Sequence, residues 1–458
     1  MVGRGLVLWT SFGAALWGQQ IRWPRYQDEA VRLLQEYLRV DTQNPPGNEL
    51  RGAQFFHRLF DQAGIPNTIY EFEPGRANLY ARLKGDGSRR PLILLNHLDT
   101  VRADGSQWKA PPLSGQILDG ELYGRGALDM KGLGLLQAMT LLVAARERVP
   151  LHRDLIFLAT ADEEVDDRGS AWMIRNHPEL LRDAEYLLTE GGSGVRSTGG
   201  RIIYRIGFGE KAALWIKMTA SGRGGHGSVP IPDSAANRLV RAAHRVTEWQ
   251  TPVRLLPEVE EYFRRIAPLE TEPSASKLGN LAAAMRDPLF LQELPEKYPM
   301  VNVLVRNTVS LTVLEAGRQT NVIPDTAACR LDVRLLPGES SRDFLAQLRR
   351  VVDDDRVKLE IIEEFGPSNS SPPHSPLFQV LEKTLQSHQP DAIVAAWLDN
   401  GYTESQMYRK LGIKAYGFSP VVATPDVLAT KHGANERVSV DQIRQALIIL
   451  FEAVRSIQ

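Results

Sequence analysis

Histidine and carboxylate residues stand at the ends of short apolar segments, or just before a helical pattern. They are His97 with Asp99, Asp129 within the glycine-rich segment 124–132, Glu163 with Glu164, and Glu190. Ligands of open α/β sheets bind outside the carboxyl ends of the strands. We therefore expect these side chains, although far apart in sequence, to converge in one crevice.

The residue types favour a site for two metal ions. A carboxylate can bridge two cations about 3.5–4 Å apart, while histidine and glutamate complete each side. Asp129 lies between glycines, which allow close backbone approach and suit a bridging ligand. Glu163 and Glu164 diverge if the chain is extended there, so that one can bind metal while the other faces the substrate water.

Each residue alone has an ordinary structural explanation. A histidine at a strand end is more often a packed or surface residue than a ligand, and adjacent glutamates are usually solvated. Several such groups at consecutive strand ends are difficult to obtain by chance, which favours the metal site. The chain has a single cysteine, Cys329, so it excludes an intrachain disulfide and a zinc site built on several thiolates.

Composition indicates an ordinary soluble globular protein. The 458 residues include 54 Lys and Arg against 55 Asp and Glu, so the formal net charge is -1. The chain therefore lacks the overall excess of basic residues that is typical of nucleic-acid-binding proteins. At about 150 residues per domain, this length predicts two or three domains.

The first residues predict export. Arg4 precedes an apolar run from Leu6 to Trp17 that is too short to span a membrane. We expect residues 1–20 to be a signal peptide and the protein to be periplasmic or secreted, with a cytoplasmic location as the alternative. No later stretch reaches about 18 uninterrupted apolar residues, so we expect no stable membrane span.

The remaining pattern predicts an α/β fold in which a second domain interrupts the first. Apolar runs at 78–83, 91–95, 154–159 and 186–188 alternate with helical patterns, as in a mostly parallel, buried sheet. We assign 21–209 and 366–458 to this first domain. Residues 210–365 read as β-α-β-β-α-β, an inserted α+β domain of two layers, with an irregular, partly helical insertion from Thr251 to Tyr298.

At this point the sequence resembles a known family, the di-zinc metallopeptidases. That family includes aminoacylase, acetylornithine deacetylase, succinyl-diaminopimelate desuccinylase, glutamate carboxypeptidase and yeast carboxypeptidase S. The resemblance is carried by His97-x-Asp99, GRGALDMKG (124–132), DEE (162–164), EGG (190–192), GGHGSVP (224–230) and KHGANERVS (431–439). It covers nearly the whole chain from about residue 25, and is closest to the carboxypeptidase S-like branch.

The resemblance implies a role for each residue of the site. Asp129 would bridge two divalent ions, zinc first, with cobalt or manganese possible. One ion would be completed by His97 and Glu190, the other by Glu164 and His432. Glu163 would be the general base, activating a water held between the metals, and Asp99 would orient His97.

The resemblance also implies that residues 210–365 are a lid and dimerisation domain, and that the protein is a homodimer. His226 would stabilise the oxyanion, often across the dimer interface. Asn321 and Arg334 match lid positions that contact the substrate's carbonyl or carboxylate. One departure is Gly401-Tyr-Thr-Glu404, where relatives carry Gly-x-Thr-Asp, which puts substrate specificity in question.

These features predict a metal-dependent hydrolase that cleaves an amide or peptide bond next to a free carboxylate. Its substrate would be a small peptide or an N-acyl-amino acid, making it a carboxypeptidase, dipeptidase or deacylase. A di-zinc aminopeptidase is the alternative. A non-catalytic binding protein would need a broken ligand set, and none of the expected ligands is missing. A dinucleotide site at 222–227 is disfavoured because Pro230 and Pro232 interrupt the helix that such a site requires.

Overall fold

A computed structural model describes residues 21–197, 199–366 and 368–458 of the chain. The expected signal peptide at 1–20 lies outside the described residues. Among the helices described, none is both long enough and apolar enough to cross a membrane.

Helices and strands cover most of the described chain. The helices are α1 (Trp23–Leu38), α2 (Glu49–Gln62), α3 (Lys131–Arg146), α4 (Arg168–Asn176), α5 (Ala235–Glu248), α6 (Pro257–Ile266), α7 (Ser274–Gly279), α8 (Leu281–Ala284), α9 (Pro288–Lys297), α10 (Pro299–Leu304), α11 (Ser341–Val352), α12 (Pro376–His388), α13 (Ser405–Arg409), α14 (Pro425–Leu428) and α15 (Val440–Ser456). The strands are β1 (Gln43–Asn44), β2 (Asn67–Glu73), β3 (Arg76–Leu83), β4 (Arg89–His97), β5 (Thr100–Val101), β6 (Gln116–Leu118), β7 (Glu121–Tyr123), β8 (Arg153–Thr160), β9 (Tyr186–Thr189), β10 (Ser193–Arg196), β11 (Ile202–Glu210), β12 (Ala212–Ser221), β13 (Gly225–His226), β14 (Thr308–Ala316), β15 (Val322–Ile323), β16 (Thr326–Leu335), β17 (Val357–Glu364), β18 (Ile393–Asp399), β19 (Lys414–Gly417), β20 (Val422–Ala423) and β21 (Arg437–Ser439).

A ten-stranded sheet, the large sheet, organises the first domain. Its order is β2-β3-β8-β4-β9-β19-β11-β10-β20, and β18 pairs in parallel with β11. The central neighbours β8, β4, β9 and β19 all run parallel. Strands from both sides of the insertion therefore share one sheet, and the predicted mostly parallel α/β fold is confirmed.

Helices cover both faces of this sheet, because the middle of its central strands is apolar on both faces. In β4, Leu92 and Leu94 pack into a core with α1, α2, α3, α12 and α15, whereas Ile93 and Leu95 pack on the opposite side with residues of α4 and α13. Helix α3 is buried almost throughout, which agrees with its lack of a polar face.

A second sheet, the lid sheet, is smaller and antiparallel, in the order β14-β16-β12-β17. Helices α5 and α11 cover one face, with Leu239 and Phe344 in the shared core. Burial alternates along β12 and β16, as expected for a sheet with one covered face. The observed order of its elements matches the predicted β-α-β-β-α-β arrangement.

The segment predicted to be an irregular insertion is mainly helical and contains α6 to α9. In α6, Val259, Tyr262 and Phe263 recur at helical spacing, and they form a core with Phe208 and Trp397 of the large sheet. The insertion thus packs against β11 and β18, not only within the lid. The proposed domain boundaries stay a prediction, although Glu210 still pairs with Asp399 in the large sheet.

Candidate metal centre

Parallel strands bring the first group of predicted ligands to one edge of the large sheet. His97 ends β4, which lies between β8 and β9, and Glu163 and Glu190 follow those two neighbours. The His97 Nε2 atom is 3.3 Å from Asp129 Oδ1, 3.6 Å from Glu190 Oε1 and 3.9 Å from Glu163 Oε2. The expected convergence on one crevice is therefore present.

A second imidazole approaches from the last part of the chain. The His432 Nε2 atom is 3.1 Å from Glu164 Oε2 and 3.3 Å from Asp129 Oδ2. Asp129 thus presents one carboxylate oxygen to each histidine, and each histidine has a glutamate of its own beside it. We call these side chains the acid–histidine cluster: His97, Asp129, Glu163, Glu164, Glu190 and His432.

Buried carboxylates dominate the electrostatics of this cluster. Burial raises the pKa of Glu190 to about 7, with a further contribution from the charge of Asp129. Burial also raises the pKa of Glu163 well above its usual range, and the charges of Glu190, Asp167 and Glu164 add to the shift. Hydrogen bonds to Asp129 and Glu164 raise the pKa of His432 to about 10. The carboxylates attract positive charge strongly here, as expected of a cation site.

The donor set also fits metal ions. Two groups of three residues each bring one ligand atom per residue to within 4.8 Å of the other two. These groups are His97, Glu163 and Glu190, and His97, Asp129 and Glu164. Imidazole nitrogens and carboxylate oxygens suit zinc, cobalt and manganese. The residues present therefore fit a centre with two cations.

Asp99 lies behind His97 and is completely buried. Its backbone carbonyl oxygen is 3.0 Å from His97 Nδ1, closer than its carboxylate oxygen Oδ1 at 3.6 Å. The carboxylate accepts the backbone N–H groups of Glu163 and Glu164, each at 3.2 Å. Asp99 therefore holds both the imidazole and the loop that carries the paired glutamates.

Glu436 shapes the loop of Asp129, a role that sequence reasoning missed. Its carboxylate accepts the backbone N–H groups of Gly126, Leu128 and Asp129 at 3.0, 2.8 and 3.0 Å. It also pairs with Arg125 at 2.5 Å. Glu436 lies within the 431–439 motif, but no local pattern indicates a partner more than 300 residues earlier.

A buried ion network supports Asp99 from the side away from the cluster. Arg76 pairs with Glu49 at 2.6 Å and with Asp162 at 2.5 Å. Asn44 donates to Asp99 at 2.9 Å and to Asp162 at 2.8 Å. This network links the start of β3 to the loop of the paired glutamates. Asp162 belongs to the DEE motif, whereas the sequence contains no motif that would indicate a role for Arg76, Glu49 or Asn44.

The predicted lid residues lie apart from the cluster. His226 is exposed on β13, with Nδ1 2.7 Å from Ser228 Oγ, and the carbonyl oxygen of Asn321 accepts the N–H of Gly227 at 2.7 Å. Arg334 lies on β16 and pairs with Asp332. Among the described residues, no hydrogen bond or ion pair joins His226, Asn321 or Arg334 to the cluster, so their roles stay predictions.

The departure at Glu404 concerns internal packing. Glu404 is 2% exposed, and one carboxylate oxygen accepts the hydroxyl of Thr160 at 3.0 Å. Thr403 likewise donates to buried Glu210 at 3.0 Å. Glu404 lies inside the protein behind the strand ends, so its identity affects how this loop is held.

Known proteins resemble this chain in sequence. Residues 93–456 match the model of peptidase family M20/M25/M40. The N-fatty-acyl-amino acid synthase/hydrolase PM20D1 of Bos taurus is 30% identical over 419 residues, 88% of this chain and 82% of that protein. Probable carboxypeptidase S-like 2 of Dictyostelium discoideum is 29% identical over 381 residues, 81% and 72% of the two chains.

A solved structure shows the same fold. The M20 family metallo-carboxypeptidase Sso-CP2 from Sulfolobus solfataricus superposes with a TM-score of 0.73 at 18% identity, covering 93% of this chain and 99% of that one. The match to the family model confirms the family resemblance inferred from the motifs. The chain belongs to peptidase family M20/M25/M40 and is a metallopeptidase or amidohydrolase.

Proposed function

We propose that the protein hydrolyses an amide or peptide bond adjacent to a free carboxylate, using two divalent cations. The observation that carries this proposal is Asp129, which presents one oxygen to His97 and the other to His432. His97 and Glu190 would hold one cation and Glu164 and His432 the other, with Asp129 shared. Zinc is the first candidate, and cobalt and manganese suit the same donors.

The cations, when bound, would polarise the scissile carbonyl and make water a better nucleophile. Neither of these two ligand sets uses the carboxylate of Glu163. It lies beside His97, and burial raises its pKa, which favours holding a proton there. Glu163 would take the proton of the attacking water and pass it to the leaving amine.

Asp99 would fix the position of this base. Its carboxylate is bonded to the backbone N–H of Glu163, so that base and His97 share one rigid support. In the lid, His226 would stabilise the oxyanion, and Asn321 and Arg334 would contact the substrate's carbonyl or carboxylate.

The substrate class is supported by the names of the relatives. One is an N-fatty-acyl-amino acid synthase/hydrolase and another a probable carboxypeptidase S-like protein, and both names concern substrates with a free carboxylate. We therefore favour an N-acyl-amino-acid hydrolase or carboxypeptidase. A di-zinc aminopeptidase is the second candidate, and would recognise a free amine instead.

We also propose that the protein forms a homodimer. The edge strand β14 leaves Leu314 58% exposed, and Val240 of the neighbouring helix α5 is also 58% exposed. Exposed apolar residues at an unpaired sheet edge suit association with a second copy.

We also propose that the protein is exported, because an apolar run extends from Leu6 to Trp17. Fractionation of cells that express the full chain tests this proposal.

A substrate comparison tests the reaction. The metal-loaded protein is assayed with N-acyl-amino acids, dipeptides and amino-acid anilides. Faster hydrolysis of substrates with a free carboxylate is expected. Hydrolysis of the anilides alone would establish the aminopeptidase instead, and no hydrolysis of any amide by the metal-loaded protein would contradict the proposed reaction.

A further inference from the structure

A lysine ammonium lies beside the carboxylate that the two proposed cations would share. The Nζ atom of Lys431 is 3.6 Å from Asp129 Oδ2, the same oxygen that is 3.3 Å from His432 Nε2. The other oxygen of Asp129 faces His97. Among the described residues, Asp129 is the only one whose carboxylate lies within 4.0 Å of this ammonium. The chain therefore places a positive charge of its own at the oxygen shared with His432.

The backbone around Lys431 fixes the position of this ammonium. His432 has a left-handed backbone conformation, with φ 57°, whereas consecutive side chains of an extended chain point to opposite sides. Asn435 ties the same loop to another segment, because it accepts the N–H of Lys109 at 2.6 Å and donates to the carbonyl oxygen of Gln107 at 3.1 Å. The loop is held so that Lys431 and His432 reach the same oxygen.

The ammonium is charged, and it is free to leave. The charge of Asp129 raises the pKa of Lys431 above its usual range, and the charges of Glu190 and Asp399 add to the shift. The side chain is 42% exposed, so its flexible stem can carry the ammonium into solvent. Asp129 can therefore exchange this partner of single charge for a divalent cation.

Such an exchange affects the two proposed cations unequally. The three ligand carboxylates, those of Asp129, Glu164 and Glu190, neutralise a first divalent cation in full but a second only in part. Like charges a few ångströms apart repel strongly where burial limits solvent screening. A cation beside His432 uses the oxygen that the ammonium contacts, whereas a cation beside His97 uses the other one.

We propose that Lys431 competes with the cation on the His432 side, so that the two cations load in order, first beside His97 and then beside His432. The inference rests on the proposed function, and it adds the residue that sets the free-cation concentration at which the second site fills. The protein then holds one cation tightly and completes its centre only where that cation is more abundant.

The test measures cation binding directly. Metal-free protein is titrated with cobalt, whose visible absorption reports binding, and a competing chelator gives the two dissociation constants. Lys431→Met removes the charge but keeps most of the apolar stem. The weaker constant should fall by about 10-fold or more and the tighter one should change by less than about threefold, because the repulsion acts mainly at one oxygen of Asp129. Retained tight binding also shows that the variant is folded.

Two variants separate charge from shape and position. Lys431→Arg keeps the cation, so both constants should stay within about threefold of those of the wild type. Lys414→Met removes a lysine that is 40% exposed and 3.8 Å from Glu185, a close match to Lys431. Lys414 begins β19, at the opposite end of the large sheet from the cluster, so its loss should change neither constant.

A third variant assigns the constants to their sides. His432→Ala removes an imidazole of one side only, so the weaker constant should disappear while the tighter one remains. If the tighter constant disappears instead, the proposed order of loading is overturned.

The remaining outcomes are equally decisive. An unchanged weaker constant in Lys431→Met overturns the inference, as does an equal gain at both sites. Weaker binding in that variant would mean that Lys431 supports Asp129 and does not compete with the cation, which also overturns it. A wild type that binds only one cobalt ion at saturation would refute the two-cation centre itself. Two bound ions without hydrolysis of any amide would refute the proposed reaction and leave the role of Lys431 intact.

Discussion

The large sheet carries helices on both faces, whereas the lid sheet is covered on one face only. Ile156 and Phe157, adjacent in β8, point to opposite sides and are both completely buried. In β12, Ile216 is buried while its neighbour Trp215 is 41% exposed. A sheet that is fixed on both faces can hold charged side chains in a set geometry at its edge, and the acid–histidine cluster lies there.

The lid sheet differs in what it leaves open. Its edge strand exposes Leu314, and its uncovered face carries Arg334, which lines a cavity together with Asn400 and Gly401. Such a surface can meet a substrate or a second copy of the chain. Under the proposed function, the chemistry would depend on the large sheet, whereas recognition and association would depend on the lid.

Removal of metal should have the largest effect. Treatment with a chelator is expected to abolish hydrolysis, because the cluster then lacks the cations that its carboxylates attract, and zinc, cobalt or manganese should restore it. Metal content by elemental analysis and activity are followed together. Full activity in a protein shown to be metal-free would contradict the metal-dependent reaction.

Loss of the base comes next. Glu163→Ala should lower kcat by about 10²–10⁴-fold, since general base catalysis typically contributes that much, while the metal stays bound. The matched control is Glu315→Ala, which removes an exposed glutamate of the lid strand β14. Retained activity in Glu163→Ala would rule out the proposed mechanism.

The two sheets should also respond differently to truncation of an apolar residue. Phe157→Ala, in the core of the large sheet, should lower the free energy of unfolding by about 3–5 kcal/mol. Leu314→Ala, at the lid edge, should change the free energy of unfolding of the monomer by less than about 0.5 kcal/mol. Denaturant titration measures both, and similar losses for the two variants would show that the burial contrast does not govern stability.

The ion network behind Asp99 should have a smaller effect on the metal site. Arg76→Gln leaves Glu49 and Asp162 without their cation, and the displaced support should weaken metal binding by about 10–100-fold. Titration with zinc against a competing chelator measures the affinity. Arg32→Gln, which breaks an exposed pair with Glu36, is the control and should bind metal as the wild type does.

The smallest expected effect on folding comes from the lid edge. Leu314→Glu should shift a dimer toward monomer, because it places a charge on an apolar contact, and yet leave the stability of the monomer within about 0.5 kcal/mol. Light scattering after size-exclusion chromatography gives the mass. A monomeric wild type would remove the dimer from the proposal.

Much of the fold could be predicted from the sequence because its periodicities are strong. The all-apolar run at Leu92–Leu95 predicts a strand buried on both faces, and the alternation along Ala212–Thr219 predicts one that is half-buried. The packing of the helical insertion could not be predicted in this way. Helical spacing shows that Tyr262 has a buried side, but not that its partner is Trp397.

In the candidate site, the sequence predicts the residues that belong to motifs but not the residues that support them. His97, Asp129, Glu164 and His432 belong to short motifs, and the structure brings them together. The supporting groups could not be found, because their roles depend on contacts between distant segments.

The hydrogen bonds from Glu436 to the loop of Asp129 have a consequence for biosynthesis. A ribosome completes the segment 124–129, then the whole lid, and only then the residues from His432 to Glu436. Until residues 432–436 leave the exit tunnel, neither the second imidazole nor the acceptor for the loop's N–H groups is in place. The loop of Asp129 can therefore acquire its final hydrogen bonds only after the whole lid has been synthesised.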